Sequence, residues 1–165
     1  MRPFVPLLLS ALGASPDGLI CLGEKEALDI SKRWLDVFAS DGVSSKAELA
    51  TVVAADIESI DETFGAPTKG IDELWDVVIA GDNQTTTNIK YTPDVILNTC
   101  DAIAVSWKYT AVTTGSNSSV AAGKDVSFSG IDILEVDLKD RLISKATSSG
   151  NWILLANQLG ETCTV

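Results

Sequence analysis

The 165-residue chain contains no histidine. That absence removes Ser-His-Asp and Cys-His nucleophile chemistry, His-ligated zinc and any imidazole general base. Positive charge is scarce as well: 12 Lys and Arg stand against 23 Asp and Glu, a net charge of −11. Phosphate backbones and anionic headgroups are recognised by Lys and Arg, so neither nucleic acid nor a membrane surface is an expected partner. No GxGxxG or GxxxxGK[ST] string is present, so no phosphate-cradling loop is expected. The three cysteines, Cys21, Cys100 and Cys163, lack the close spacing of a metal site. No metal and no cofactor is expected.

What is present suffices for one core. Hydrophobic residues make up 45% of the chain, and its length fits one domain. Residues 1–15 carry one Arg, an apolar run from Phe4 to Leu12 and then small residues, the pattern of a short secretory signal. That run is too short to cross a bilayer. Residues 16–165 are then the folded domain of a secreted protein, a cytosolic arm being the alternative for the N-terminus. Sequons at Asn83 and Asn117 lie in polar, turn-like stretches and point the same way. In an oxidising compartment the cysteines form one disulfide and leave one thiol, with three pairings open.

The first half of the chain reads as helices. Ala27, Ile30, Trp34, Val37 and Phe38 form an apolar stripe over Glu24 to Ala39. Ser45 to Glu48 is a capping box opening a short second helix to about Ala54. Ile57 to Asp61 alternates like a strand. Ile71, Leu74, Trp75 and Val78 give a third helix closed by Gly81. The second half reads as strands: Thr86 to Asn98, with Pro93 demanding a bulge or an edge; Ile103 to Thr113; the stretch from Gly123 to Leu142; and Leu142 to about Thr147. Ser148 and Ser149 are placed as caps of a last helical turn. Helices first and an antiparallel meander after mean an α+β fold, three helices covering a strongly curved sheet around a pocket.

Within GKDVSFSGIDILEVDLKDRL, the residues Val126, Phe128, Gly130, Asp132, Leu134 and Val136 share one strand face. Asp132 is the only ionisable member. A carboxyl there either faces a cavity or makes a structural hydrogen bond, because burying it otherwise is costly. Gly130 beside it reads as room for a ligand.

The order of these elements and several strings, KRWLDVFASDG, AADIESID, APTKG, GIDILEVDLKDRL and NQLG, resemble the NTF2-like superfamily over roughly residues 24–160. The likeness is greatest to its SnoaL-like polyketide cyclase and ketosteroid isomerase branches. Asp56, Asp61, Pro67 and Gly70 reproduce the spacing of the isomerase motif, so the resemblance implies Asp61 as general base. Ile131-Asp132-Ile133-Leu134 matches the strand of the oxyanion-hole acid, which implies that role for Asp132. The family's tyrosine falls on Trp34, whose indole N–H donates a hydrogen bond without transferring a proton. Residues 145–149, KATSS, lack the Asp or His that cyclases and dehydratases often carry there, which excludes a His-driven dehydratase. Trp34, Phe38, Trp75, Trp107 and Phe128 are the expected walls of a flat, lipophilic site.

Two function classes follow. One is a cofactor-independent isomerase or cyclase acting on a polyketide, terpenoid or steroid-like molecule, with Asp61 moving a proton α to a carbonyl and Asp132 steadying the enolate, or with the pocket templating the cyclisation. The other is a secreted, non-catalytic binder of small lipophilic molecules. Paired carboxyls facing one cavity favour the enzyme. A homodimer through the outer sheet face is permitted by Ile131 and Ile133.

Overall fold

The computed structural model describes residues 18–79 and 85–161, with the backbone alone at Val77 and Val78. The signal-like segment, the Asn83 sequon and Cys163 lie outside the described residues.

Helix α1 spans Glu24–Asp36, with Glu24 and Glu26 in its first turn and Arg33 in its last, each at the end of the helix dipole that favours its charge. Ala27, Ile30 and Trp34 form its buried stripe. The expected final turn exists in tightened form: the N–H groups of Val37, Phe38 and Ala39 reach carbonyls three residues back. Helix α2 covers only Lys46–Leu49. Ser45 caps it by accepting from the Glu48 N–H, and the Glu48 carboxylate reaches back to the Ser44 N–H. It stops short of Ala54 because the β-branched Val53 already begins a strand.

Strand β1 is Val53–Ile60 and β2 is Thr68–Lys69. Helix α3, Gly70–Leu74, continues into a π-helical turn at Trp75–Ile79. Strands β3 (Thr86–Asn98), β4 (Ala102–Thr113), β5 (Asp125–Asp137) and β6 (Leu142–Gly150) follow, and then helix α4 (Trp152–Gln158). The sheet order is β2-β1-β6-β5-β4-β3, antiparallel except for the parallel pair β1–β6. Pro93 lies in the edge strand β3, where the register shifts between Pro93 and Ile96. The sheet is curved and not closed, with α1 packed on β3 and β4 and α3 on β1.

Alternation in β4 buries Ile103, Val105, Trp107, Tyr109 and Ala111. In β5 it buries Val126, Phe128, Asp132, Leu134 and Val136. Ser148 and Ser149 are not helix caps: they belong to β6, opposite Asp132 and Ile131. Asn151 takes the capping role, its side chain accepting from the Leu154 N–H at 3.1 Å. Of the three possible cysteine pairings the fold forms Cys21–Cys100. The segment before α1 is further stitched down by Leu22 N–H to the Cys100 carbonyl and by Asn98 Nδ2 to the Leu22 carbonyl.

Candidate functional site

The inner face of the sheet, the end of α1 and α4 border a half-open cavity of about 1010 Å³. Asp61, at the end of β1, and Asp132, in the middle of β5, both line it. Strand β6 lies between their strands and carries Ser148, a third polar lining residue.

Asp132 is 3% exposed. Its Oδ2 accepts a 2.7 Å hydrogen bond from Trp34 Nε1 across the core. Its Oδ1 has no partner, and neither has the buried Trp107 Nε1. Burial holds the carboxyl above the ordinary carboxylate range. Nearby Trp107, Trp34 and Ser148 pull the other way, and the negative charge of Asp61 adds to the rise. The Trp107 N–H is thus near the carboxyl without closing a well-aligned bond. A neutral carboxyl anchored through Oδ2 presents Oδ1–H as a donor.

Asp61 is held twice. Its Oδ1 accepts from the Thr63 N–H at 3.0 Å, a local turn contact. Its Oδ2 accepts from Trp152 Nε1 at 2.9 Å. Trp152 stands between Phe64 and Phe128, with ring centroids 4.9 and 4.7 Å away. Gln158 pins α4 to β5 by accepting from the Ser127 N–H and donating to the Ser127 carbonyl, both at 2.9 Å.

The aromatic wall differs from the expected one. Phe38 and Trp107 line the cavity. Trp34 does not: it is wholly buried, and its single N–H is committed to Asp132. It therefore anchors the acid and offers no donor to a ligand. Trp75, in the π-helical turn, and Phe128, beneath Trp107 and Trp152, belong to the core packing and are not in the lining. Gly130 does not make room for a ligand. A Cβ there would collide with Trp107 Cζ2 and Cη2, so the glycine admits the Trp107 ring from the opposite strand.

Tyr91, Tyr109 and Trp152 are lining residues that the sequence did not single out. Tyr91 meets the edges of Trp107 and Tyr109 at 5.1 and 5.2 Å. Burial pushes its phenol far above the ordinary range, reinforced by Tyr109, Asp132 and Asp61. Tyr109 shares a hydrogen bond with Thr86 at 2.9 Å. Its alternation with Trp107 was the available signal, and Tyr91 alternates with Ile89 in the same way. Nothing local marks Trp152. Among the described residues no cluster of three or more potential ligands could hold a metal ion, and no helix is long and apolar enough to cross a membrane.

No protein-family model matches the chain, and no curated protein is similar to it in sequence. Solved structures do match. A protein of Shewanella putrefaciens CN-32 described as a SnoaL-like polyketide cyclase superposes with a TM-score of 0.66 at 16% identity, over 84% of this chain and 98% of its own. TsrD of Streptomyces laurentii gives 0.64 at 16% identity over 84% and 98%. A protein of Catenulispora acidiphila DSM 44928 with a ketosteroid isomerase-like fold, solved in complex with trimethylamine, gives 0.64 at 16% identity over 81% and 94%. The chain has the NTF2-like fold, an α+β cone of the form shared by SnoaL-like cyclases and ketosteroid isomerases.

Proposed function

We infer that the protein is a cofactor-independent isomerase or cyclase acting on a small lipophilic molecule with a ketone or enol oxygen. One observation carries this: Asp61 and Asp132 face the same aromatic-lined cavity from different chemical surroundings. Asp132 is buried, anchored by Trp34 and inclined to keep its proton, which suits a donor to a carbonyl or enolate oxygen. Asp61 is a carboxylate aimed by Trp152, which suits removal and return of a proton α to that carbonyl. Ketosteroid isomerases divide the work between two aspartates in the same way, and the fold likeness supports the reading. The substrate classes in view are polyketide, terpenoid and steroid-like ketones.

The test is α-proton exchange of 1-tetralone and related flat cyclic ketones in D₂O, followed by NMR. The wild-type chain accelerates exchange. Asp61→Asn and Asp132→Ala each lose about 10²-fold or more of that acceleration. Binding of these ketones without exchange would leave the non-catalytic binder as the function.

The Cys21–Cys100 disulfide supports an oxidising, secretory location; the mass of the chain from its native host checks for loss of residues 1–15. Ile131 and Ile133, each half-exposed, lie on the outer sheet face with Val95 and Leu97 from the edge strand β3. That apolar face supports a homodimer, which light scattering on the purified chain measures.

A further inference from the structure

We propose that the molecule this cavity receives is a lipophilic cation, a flat ketone carrying a protonated or quaternary nitrogen close to the carbon that loses its proton. This rests on the proton-transfer reading above and names the class of substrate it would take.

The charge of the lining is one-sided. Among the described residues around the cavity there is no Lys or Arg, and the chain has no His. Against that stand two carboxyl groups. The partners of Asp61 are the neutral Thr63 N–H and Trp152 indole, and none of the ion pairs among the described residues includes it. Its negative field reaches both Asp132 and Tyr91. A carboxylate or phosphate entering this space would give up its hydration and meet repulsion, with no counter-charge in return.

The chemistry of the proposed reaction leads to the same place. When the α-proton passes to Asp61, the negative charge leaves that carboxylate and appears on the ligand oxygen, with the ligand C–H bond broken and the Asp61 O–H bond formed. The groups waiting near Asp132 are neutral donors. None of the described lining residues supplies a positive charge before or after the transfer. A nitrogen cation on the substrate does both: it pairs with Asp61 in the bound state and steadies the enolate in the next. The rings of Phe38, Tyr91, Trp107, Tyr109 and Trp152 line the space such a cation would occupy, and aromatic faces attract cations. The net charge of −11 draws cations toward the molecule from solution.

Three probes of matched shape test this by calorimetry on the full chain: 2-acetylnaphthalene, 2-naphthoate and (2-naphthylmethyl)trimethylammonium. The expected order is cation about tenfold tighter than ketone, with naphthoate too weak to measure. Asp61→Asn should narrow the gap in affinity between the cation and the ketone. Raising the salt concentration on the wild-type chain should narrow the same gap if the Asn variant fails to fold. A cation that binds no better than the ketone overturns the proposal, as does naphthoate binding as well as the cation. If the ketone binds and exchanges its α-proton while the cation shows no advantage, only the charge preference falls. If no probe binds, the lipophilic pocket falls with it.

Discussion

Replacing Asp132 by Asn tests the protonation state of the buried acid without any ligand. Asn keeps the shape: its carbonyl oxygen accepts from Trp34 Nε1 as Oδ2 does at 2.7 Å, and its amide N–H group stands where the acid's own proton would be. In the wild type, burial raises the folded carboxyl above its ordinary value, which is about 3.9 for an unfolded aspartate. Below that value both states hold the proton and the wild type loses nothing. Between the unfolded and folded values the native state binds the extra proton, so its stability falls as pH rises. The maximum slope for one proton is about 1.4 kcal/mol per pH unit. Once the folded carboxyl ionises, the loss is complete and constant. The Asn variant has no such proton. Urea unfolding of both chains between pH 4 and pH 8 gives the difference, in which titrating groups not coupled to Asp132 cancel. The wild type should lose ground to Asn from just above pH 4 and then level off. Parallel profiles, or a wild type that gains on Asn with rising pH, would refute a proton-holding Asp132.

Trp34→Phe removes the anchoring N–H from a buried acceptor and should lower unfolding stability by roughly 1–3 kcal/mol, read from the same urea transitions. Gly130→Ala puts a methyl into the Trp107 ring and within 2.7 Å of the Ser149 carbonyl; a loss of about 1–3 kcal/mol and a changed near-UV spectrum are expected. Cys21→Ser opens a loop closed over 79 residues, and thermal unfolding should show a loss of about 2–4 kcal/mol.

Much of the architecture was legible because burial periodicity is local. The alternation of β4 and β5 and the stripe of α1 name their buried faces directly, and Pro93 signals a bulge or an edge, both of which β3 has. The boundaries that moved did so for tertiary reasons. Ser148 and Ser149 look like caps in isolation, but pairing with β5 claims them for β6. Asp61 and Asp132 were both visible as candidates, and both reach the cavity. Trp34 was visible too, but no pattern in α1 says that its N–H points across the core to a strand 98 residues later. For the same reason the local sequence does not show that the space beside Gly130 is filled: its occupant, Trp107, arrives from another strand. No local pattern marks Trp152, because its role is to reach Asp61 from a helix 91 residues away.

The parallel pairing of β1 with β6 bears on how the site comes into being. Among the described residues β1 is the first strand made and β6 the last, and β6 is the strip that joins β1 to β5. Both aspartates are synthesised before β6 exists, yet β1, which Asp61 directly follows, and β5, which bears Asp132, have no shared neighbour until it docks. Such long-range closure comes late and slowly in folding. A nascent chain ending near Arg141 would therefore hold every candidate acid and base and still have no pocket in which they meet.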